Sequence, residues 1–411
     1  MTVNRLRPLI PTLLSRISTL QIRRYTASPP KVTVQGRFSD TLSEEHRDPL
    51  LAQLKNIPRD MAKLTIEEAH PSDAEWDILG DHFTSVRDLE VDSGFEEDLN
   101  DRKLPLHWPI DRLLISSVCG QVTKSPHILQ GRIKHLILYY TSEMRFEGPT
   151  SDELSAAHYD AIKRGEAEPK YLGKTSKIQI VNITELGKAW MAKKYNAPGL
   201  TENPPLEPEN QPVEGHESRL RTLEIIENDA LDTYLRMSAA LPHVVEPVLS
   251  LTLHSTELPW DFGWLSERLF PEALAEHTKL ESLNLAVGNV FSDPSTLSGL
   301  YAGLPPNLQS LHFRGPMSLC HSERWEEWVS AFSTSAFLPS LERLAFVLDL
   351  HYVPDKYQCP RPETPPDEDL REARAACERL YAGARSRGVT IEPFLTTRAG
   401  GNTARPVDER W

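Results

Sequence analysis

The sequence predicts an α/β solenoid, with strand–helix units stacked in chain order, a parallel sheet on one face and helices on the other. Three observations carry that prediction. An apolar phrase recurs as Leu280, Leu283 and Leu285, then Leu308, Leu311 and Phe313, then Leu341, Leu344 and Phe346. The last two positions of each phrase lie two residues apart, the strand period, so both side chains fall on one face. The phrases start 28 and 33 residues apart, which leaves room for a strand, a turn and a helix in each unit. The same phrase returns upstream at Val86, Ile110, Ile133, Leu220 and Val248. No such unit buries its apolar face alone, so neighbours must stack into one continuous core.

Composition sets the outer limits. Apolar residues at 39% and charged residues at 25% of 411 describe a soluble globular chain with ample length for a large core. No run of about 18 apolar residues exists, so no membrane-spanning helix is expected. The net charge of −14 argues against nucleic acid as a partner. Four scattered cysteines, Cys119, Cys320, Cys359 and Cys377, suggest a reducing compartment.

Taken in order, residues 1–39 contain no Asp or Glu but hold Arg5, Arg7, Arg16, Arg23, Arg24, Lys31 and Arg37. Leu6, Ile10, Leu13, Ile17 and Leu20 would form one stripe on a helix. This start resembles a mitochondrial transit peptide, and Arg23-Arg24-Tyr25-Thr26-Ala27 resembles a matrix-protease cleavage site. Residues 1–39 are therefore expected to be presequence and basic linker. Residues 40–82 are expected to form a helical N-terminal cap, with one helix from Asp48 to Ile57 and another from Pro71 to His82. The repeat array should run over 83–395. Its middle is expected to hold helices at Ser151–Lys163 and Thr184–Tyr195, a strand near Ile178–Ile180, and a mobile Pro- and Glu-rich insertion near 196–218. Further helices are expected at Ala230–Leu241, at Trp264–His277 with a kink or break at Pro271, and at Asp369–Arg385. Tyr352–Asp369 reads as a surface loop, Gly388–Ile391 as a closing strand, and 396–411 as a disordered tail.

The phrase resembles the leucine-rich repeat, in the irregular form found in fungal and other eukaryotic arrays, including those that carry an F-box. That family places an Asn three residues after the last apolar position. Here only Asn228 matches; Gly94, Val118, Thr141, Thr256, Gly288, Pro316 and Asp349 occupy the other sites. The resemblance implies a right-handed solenoid with the sheet on its concave face and helices on its convex face.

No catalytic constellation stands out. Gly173-Lys174-Thr175 lacks the earlier Gly of a phosphate loop, since Glu168 stands there. Cys320-His321 and the pair His351 and Cys359 lack zinc-site spacing. The chain is thus expected to be no enzyme, with no cofactor and no metal. The candidate site comes from repeat geometry, because residues alternating with the buried pair face outward. Leu114, His135, Ile137, Tyr139, Glu224, Ile226, His254, His312 and Arg314 are the expected partner-binding residues on the concave face. The reading is a protein-binding module acting as an assembly or stabilising factor in mitochondria, in the matrix. The alternative is an F-box-like ubiquitin-ligase adaptor of cytosol or nucleus, for which Leu9-Ile10-Pro11-Thr12 is only a superficial match.

Overall fold

The computed structural model describes residues 30–36, 44–97, 103–118, 123–139, 144, 146, 217–227, 230–255, 264–288, 291, 294–354, 360–396 and 405–406. Eleven strands form one parallel sheet whose order follows the chain. They are β1 (Lys31–Thr33), β2 (Lys63–Glu68), β3 (Asp88–Glu97), β4 (Arg112–Val118), β5 (His135–Tyr139) and β6 (Thr222–Glu227). Then come β7 (Ser250–Ser255), β8 (Ser282–Ala286), β9 (Ser310–Pro316) and β10 (Arg343–Leu350). A small antiparallel pair, β11 (Tyr352–Pro354) with β12 (Pro360–Pro362), precedes β13 (Thr390–Ile391), which closes the far edge.

Register follows the repeated phrase. Leu64, Leu89, Leu113, Leu136, Leu223, Leu251, Leu283, Leu311 and Leu344 stand opposite one another from strand to strand. Two residues on, Ile66, Val91, Ile115, Leu138, Ile225, Leu253, Leu285, Phe313 and Phe346 form a second buried row. Both rows pack with helix residues such as Leu79, Tyr234, Phe270, Trp328 and Leu380 in one core. Burying each such side chain contributes about 1.5–3 kcal/mol, and a one-residue slip would turn both rows out of it.

Main-chain hydrogen bonds link the units at the rim where the strands begin. There each unit sends two consecutive N–H groups to one carbonyl of the unit before. Asp111 and Arg112 donate to Arg87, Lys134 and His135 to Asp111, Arg221 and Thr222 to Lys134, and Leu249 and Ser250 to Arg221. The pattern continues through Leu249, Glu281 and Gln309 at 2.8–3.0 Å. At this rim, backbone groups of successive units satisfy one another across the stack.

The connecting elements vary. Helices span Glu44–Leu54, Asp73–His82, Ala230–Ala240, Trp264–Ala275, Trp325–Ser333 and Asp367–Ser386, whereas the β4–β5 connection has only Pro126–Leu129. The helix at Asp73 opens on a capping box: Ser72 accepts from Glu75 N–H while Glu75 accepts from Ser72 N–H. The helix Trp264–Ala275 stays one helix with Pro271 inside it. Pro271 packs so closely on Gly303 that an added Cβ there would lie 2.6 Å from its carbonyl oxygen.

Several expectations are corrected. The sheet begins at residue 31, inside the range read as presequence and linker, and the segment read as a helical cap contains β2. The helix expected to start at Asp48 starts at Glu44, with Pro49 inside it. The loop expected over Tyr352–Asp369 includes the β11–β12 pair, and Arg405–Pro406 pairs with Leu395–Thr396 in the tail read as disordered. The transit-peptide stripe, the elements expected over 151–195, the insertion up to 216 and Asn228 lie outside the described residues. No helix among the described residues is long and apolar enough to cross a membrane.

Candidate functional site

The strand period does place the expected site residues on one face of the sheet, opposite the core. Leu114, Ile137 and Glu224 share one cross-strand row with Asn284 and His312. Tyr139, Ile226, His254 and Arg314 share the next row. His135 lies in the row at the strand starts.

The face divides into three zones. At the β1 end it is acidic and tied by charge pairs. Asp88 accepts from Lys63 at 3.2 Å and from Arg112 at 2.6 Å. Ser116 donates to Asp92, and Lys31 pairs with Glu67.

The central zone does not offer the exposed apolar surface that the sequence suggested. Leu114 and Ile137 are each only 2% exposed, and Ile226 is also buried. Their alternation places them on this face, yet three neighbouring aliphatic side chains left in water would be unfavourable, and they are covered. His135 donates to Glu224 at 2.6 Å, joining strands on either side of the long insertion. Tyr139 is half-buried beside Ile226. On β7 and β8, Thr252 and Asn284 are partly exposed neighbours, with His254 close by. Burial, and then the charge of Arg314, lowers the His254 imidazole to about 4, so it is neutral at pH 7.

At the β10 end the chain folds back over its own sheet. Phe394 forms a small separate apolar cluster with Ala345 and Val347, which point away from the main core. Glu392 reaches His312 at 3.4 Å, and the His312 ring lies 6.2 Å from Phe394. Arg314 forms a two-pronged pair with Asp349, Nε to Oδ1 at 2.7 Å and Nη2 to Oδ2 at 3.0 Å. His312 and Arg314, expected to be free for a partner, are therefore engaged within the chain.

Comparison of the chain with family models, with curated proteins and with solved structures finds no match. The site must be read from its own geometry. What remains open is a strip over β5–β8 formed by Tyr139, the His135–Glu224 pair, Thr252, His254 and Asn284. Its groups can donate and accept hydrogen bonds on a rigid backbone.

Of the four cysteines, Cys320 and Cys377 lie among the described residues, and burial raises both thiols. Cys320 donates to the Met317 carbonyl, and burial followed by the charge of Glu372 pushes its thiol up to about 11. His321 pairs with Glu372 at 3.4 Å. No group of three or more metal-ligating side chains assembles among the described residues. A cationic rim beside an exposed leucine went unnoticed in the sequence. Its residues are dispersed between 87 and 221, and only the register brings them together.

Proposed function

We propose that this chain is a non-enzymatic protein-binding module of the leucine-rich-repeat kind. In this reading it is a right-handed solenoid with the sheet on its concave side. It holds a protein partner on the strip over β5–β8 and acts as an assembly or stabilising factor in mitochondria. The observation that carries the reading is the strip itself: Glu224, Thr252 and Asn284 sit in register on neighbouring strands and are partly exposed, with Tyr139 half-buried in the adjoining row. An aromatic ring with several hydrogen-bonding neighbours, fixed by strands, suits recognition of a polar protein surface. The acid-free, arginine-rich first residues support the mitochondrial part.

The test is capture from fractionated cells with the wild-type chain and with the double variant Thr252→Arg, Asn284→Arg. Both positions are partly open, so the melting temperature should stay unchanged while one stoichiometric mitochondrial partner is lost. Identical capture by the two chains would refute the strip. Enrichment of a ubiquitin-ligase linker subunit from cytosol would replace the mitochondrial reading with the adaptor one.

A further inference from the structure

The rim where β4, β5 and β6 begin carries a cleft of about 390 Å³, away from the strip on the open face. Its walls come from the turns entering those strands. Trp108 donates its indole N–H to the Phe83 carbonyl at 2.8 Å, which fixes the ring in the floor. Leu106, at 52%, is the one large apolar side chain left exposed among the described residues, and it lines the mouth.

His127 lines the same cleft and is only 3% exposed. Its Nε2 meets the Pro105 carbonyl at 3.1 Å. A carbonyl can only accept, so Nε2 carries the proton, and burial lowers the ring's pKa and keeps it neutral. Nδ1 is then a lone-pair acceptor, and it has no hydrogen-bond partner in the chain. The ring is therefore a fixed, neutral part of the cleft wall.

Charge adds a second requirement. Arg132 places Nε and Nη2 on one amide oxygen of Gln130, at 3.0 and 2.8 Å, and pairs with no carboxylate among the described residues. Asp111 is shared by Arg87 at 3.1 Å, Lys134 at 3.1 Å and Arg219 at 2.8 Å. Burial would raise the Asp111 carboxyl, but Lys134, Arg87 and Arg219 outweigh it and hold it below its usual range. Arg221 adds another cation whose Nη1 reaches only backbone carbonyls. Two residues lining the cleft, Arg132 and Arg219, are thus cationic, and Arg87, Lys134 and Arg219 share the single carboxylate of Asp111, on a chain whose net charge is −14. These cations lie beside an apolar mouth.

We propose that the cleft is a docking site for an acidic–apolar peptide segment of a partner protein. A carboxylate would meet Arg132 and Arg219, and an adjacent apolar side chain would pack on Leu106. The proposal rests on the protein-binding reading and names the chemistry of a partner at a second site.

The experiment is fluorescence polarisation with the purified full chain and a dye-labelled octapeptide alternating Asp or Glu with Leu or Phe. The acidic peptide should bind at least about ten-fold more tightly than its Asn/Gln counterpart, and added salt should weaken it. Arg132→Glu and Leu106→Asp should each weaken binding by about ten-fold or more, as central anchors do, with thermal melts unchanged. Arg132→Gln should give a smaller loss in the same direction. The strip variant Thr252→Arg, Asn284→Arg should bind the peptide like wild type, so failure of the strip and failure of the cleft are told apart. Equal affinity for the two peptides, or wild-type binding by both rim variants, would overturn the proposal. Complete displacement by free glutamate at the peptide's own concentration would also overturn it, assigning the cleft to a small organic anion.

Discussion

At the β1 end of the sheet the Glu75 carboxylate accepts from the backbone N–H groups of Gln35 at 2.7 Å and Gly36 at 3.1 Å, whereas at the β10 end Phe346 stacks on Phe313 with ring centres 4.7 Å apart. The first end is secured by polar groups. Glu75 also accepts from Ser72 N and Oγ, so one buried carboxylate ties the chain just after the edge strand to the helix Asp73–His82. Lys63, Asp88 and Arg112 continue the pattern along the sheet. The second end is secured by rings. Trp325, Trp328 and Phe332 from one helix pack on Phe346, and Trp328 and Phe332 stack with planes 6° apart. One polar contact there also belongs to a ring, since Tyr381 hydroxyl accepts from Phe346 N–H at 3.1 Å and donates to its carbonyl. Two terminal units of one array thus meet the same need, an end that cannot stack further, by different physics. The polar end depends on protonation, and the aromatic end on volume.

The largest expected effect tests the aromatic end. Trp328 is fully buried between β9, β10 and its own helix, and its indole N–H donates to the Ser298 carbonyl at 2.7 Å. Trp328→Ala leaves a cavity and an unmatched carbonyl, so it should cost about 3–5 kcal/mol in a denaturant melt. The loss should be the same at pH 5 and pH 7. A loss that changed with pH would break the contrast between the two ends.

The same contrast explains what the sequence made legible. The core rows were readable because Leu283 and Leu285, or Leu311 and Phe313, repeat a period-two pattern that any connecting element leaves intact. β2 carries it too: Met61, Leu64 and Ile66 precede Val86 by one unit, but they lie between two helical patterns that mask the period. β1 offers only Val32 and Val34, too little to stand out inside a basic start. The open face was far less legible. Alternation says that His312 and Arg314 point away from the core, not that Glu392 and Asp349 will meet them. Nor does it reveal that His135 will pair with a residue 89 positions later. Outward positions depend on what the chain brings over them, and that information is not local.

A middle-sized effect concerns protonation at the polar end. His70 is 2% exposed, sits edge-on to Trp76 at 6.3 Å, and neither of its ring nitrogens has a hydrogen-bond partner. Burial lowers its folded pKa to about 3, against about 6.5 in the unfolded chain. Between those values the unfolded state binds the extra proton. Stability is therefore full above about pH 6.5 and falls as pH drops towards 3, by at most about 1.4 kcal/mol per unit for this one group. His70→Phe keeps an aromatic edge against Trp76 and should leave stability at pH 7 within about 1 kcal/mol. Its melts between pH 6.5 and 4 should show a shallower slope than wild type. An unchanged slope would mean that His70 is not the neutral buried group described, and that His127, His254, His277 and His312 carry the acid response.

The smallest effect separates buried from surface polarity at the same end. Lys63 and Glu75 both make charged contacts near β2, yet their surroundings differ. The Lys63 side chain is 46% exposed at its pair with Asp88, whereas Glu75 is buried. Water and salt screen the first pair, and Lys63 must also be held in one rotamer to make it. Asp88 keeps Arg112 when Lys63 is removed, so no carboxylate is left unpaired. Lys63→Ala should therefore cost no more than about 0.5 kcal/mol, and that difference should vanish in high salt. A denaturant melt at low and high ionic strength measures both. A loss several times larger that persisted in salt would show that exposed pairs also hold the polar end, and that the Glu75 contacts are only one part of a wider network there.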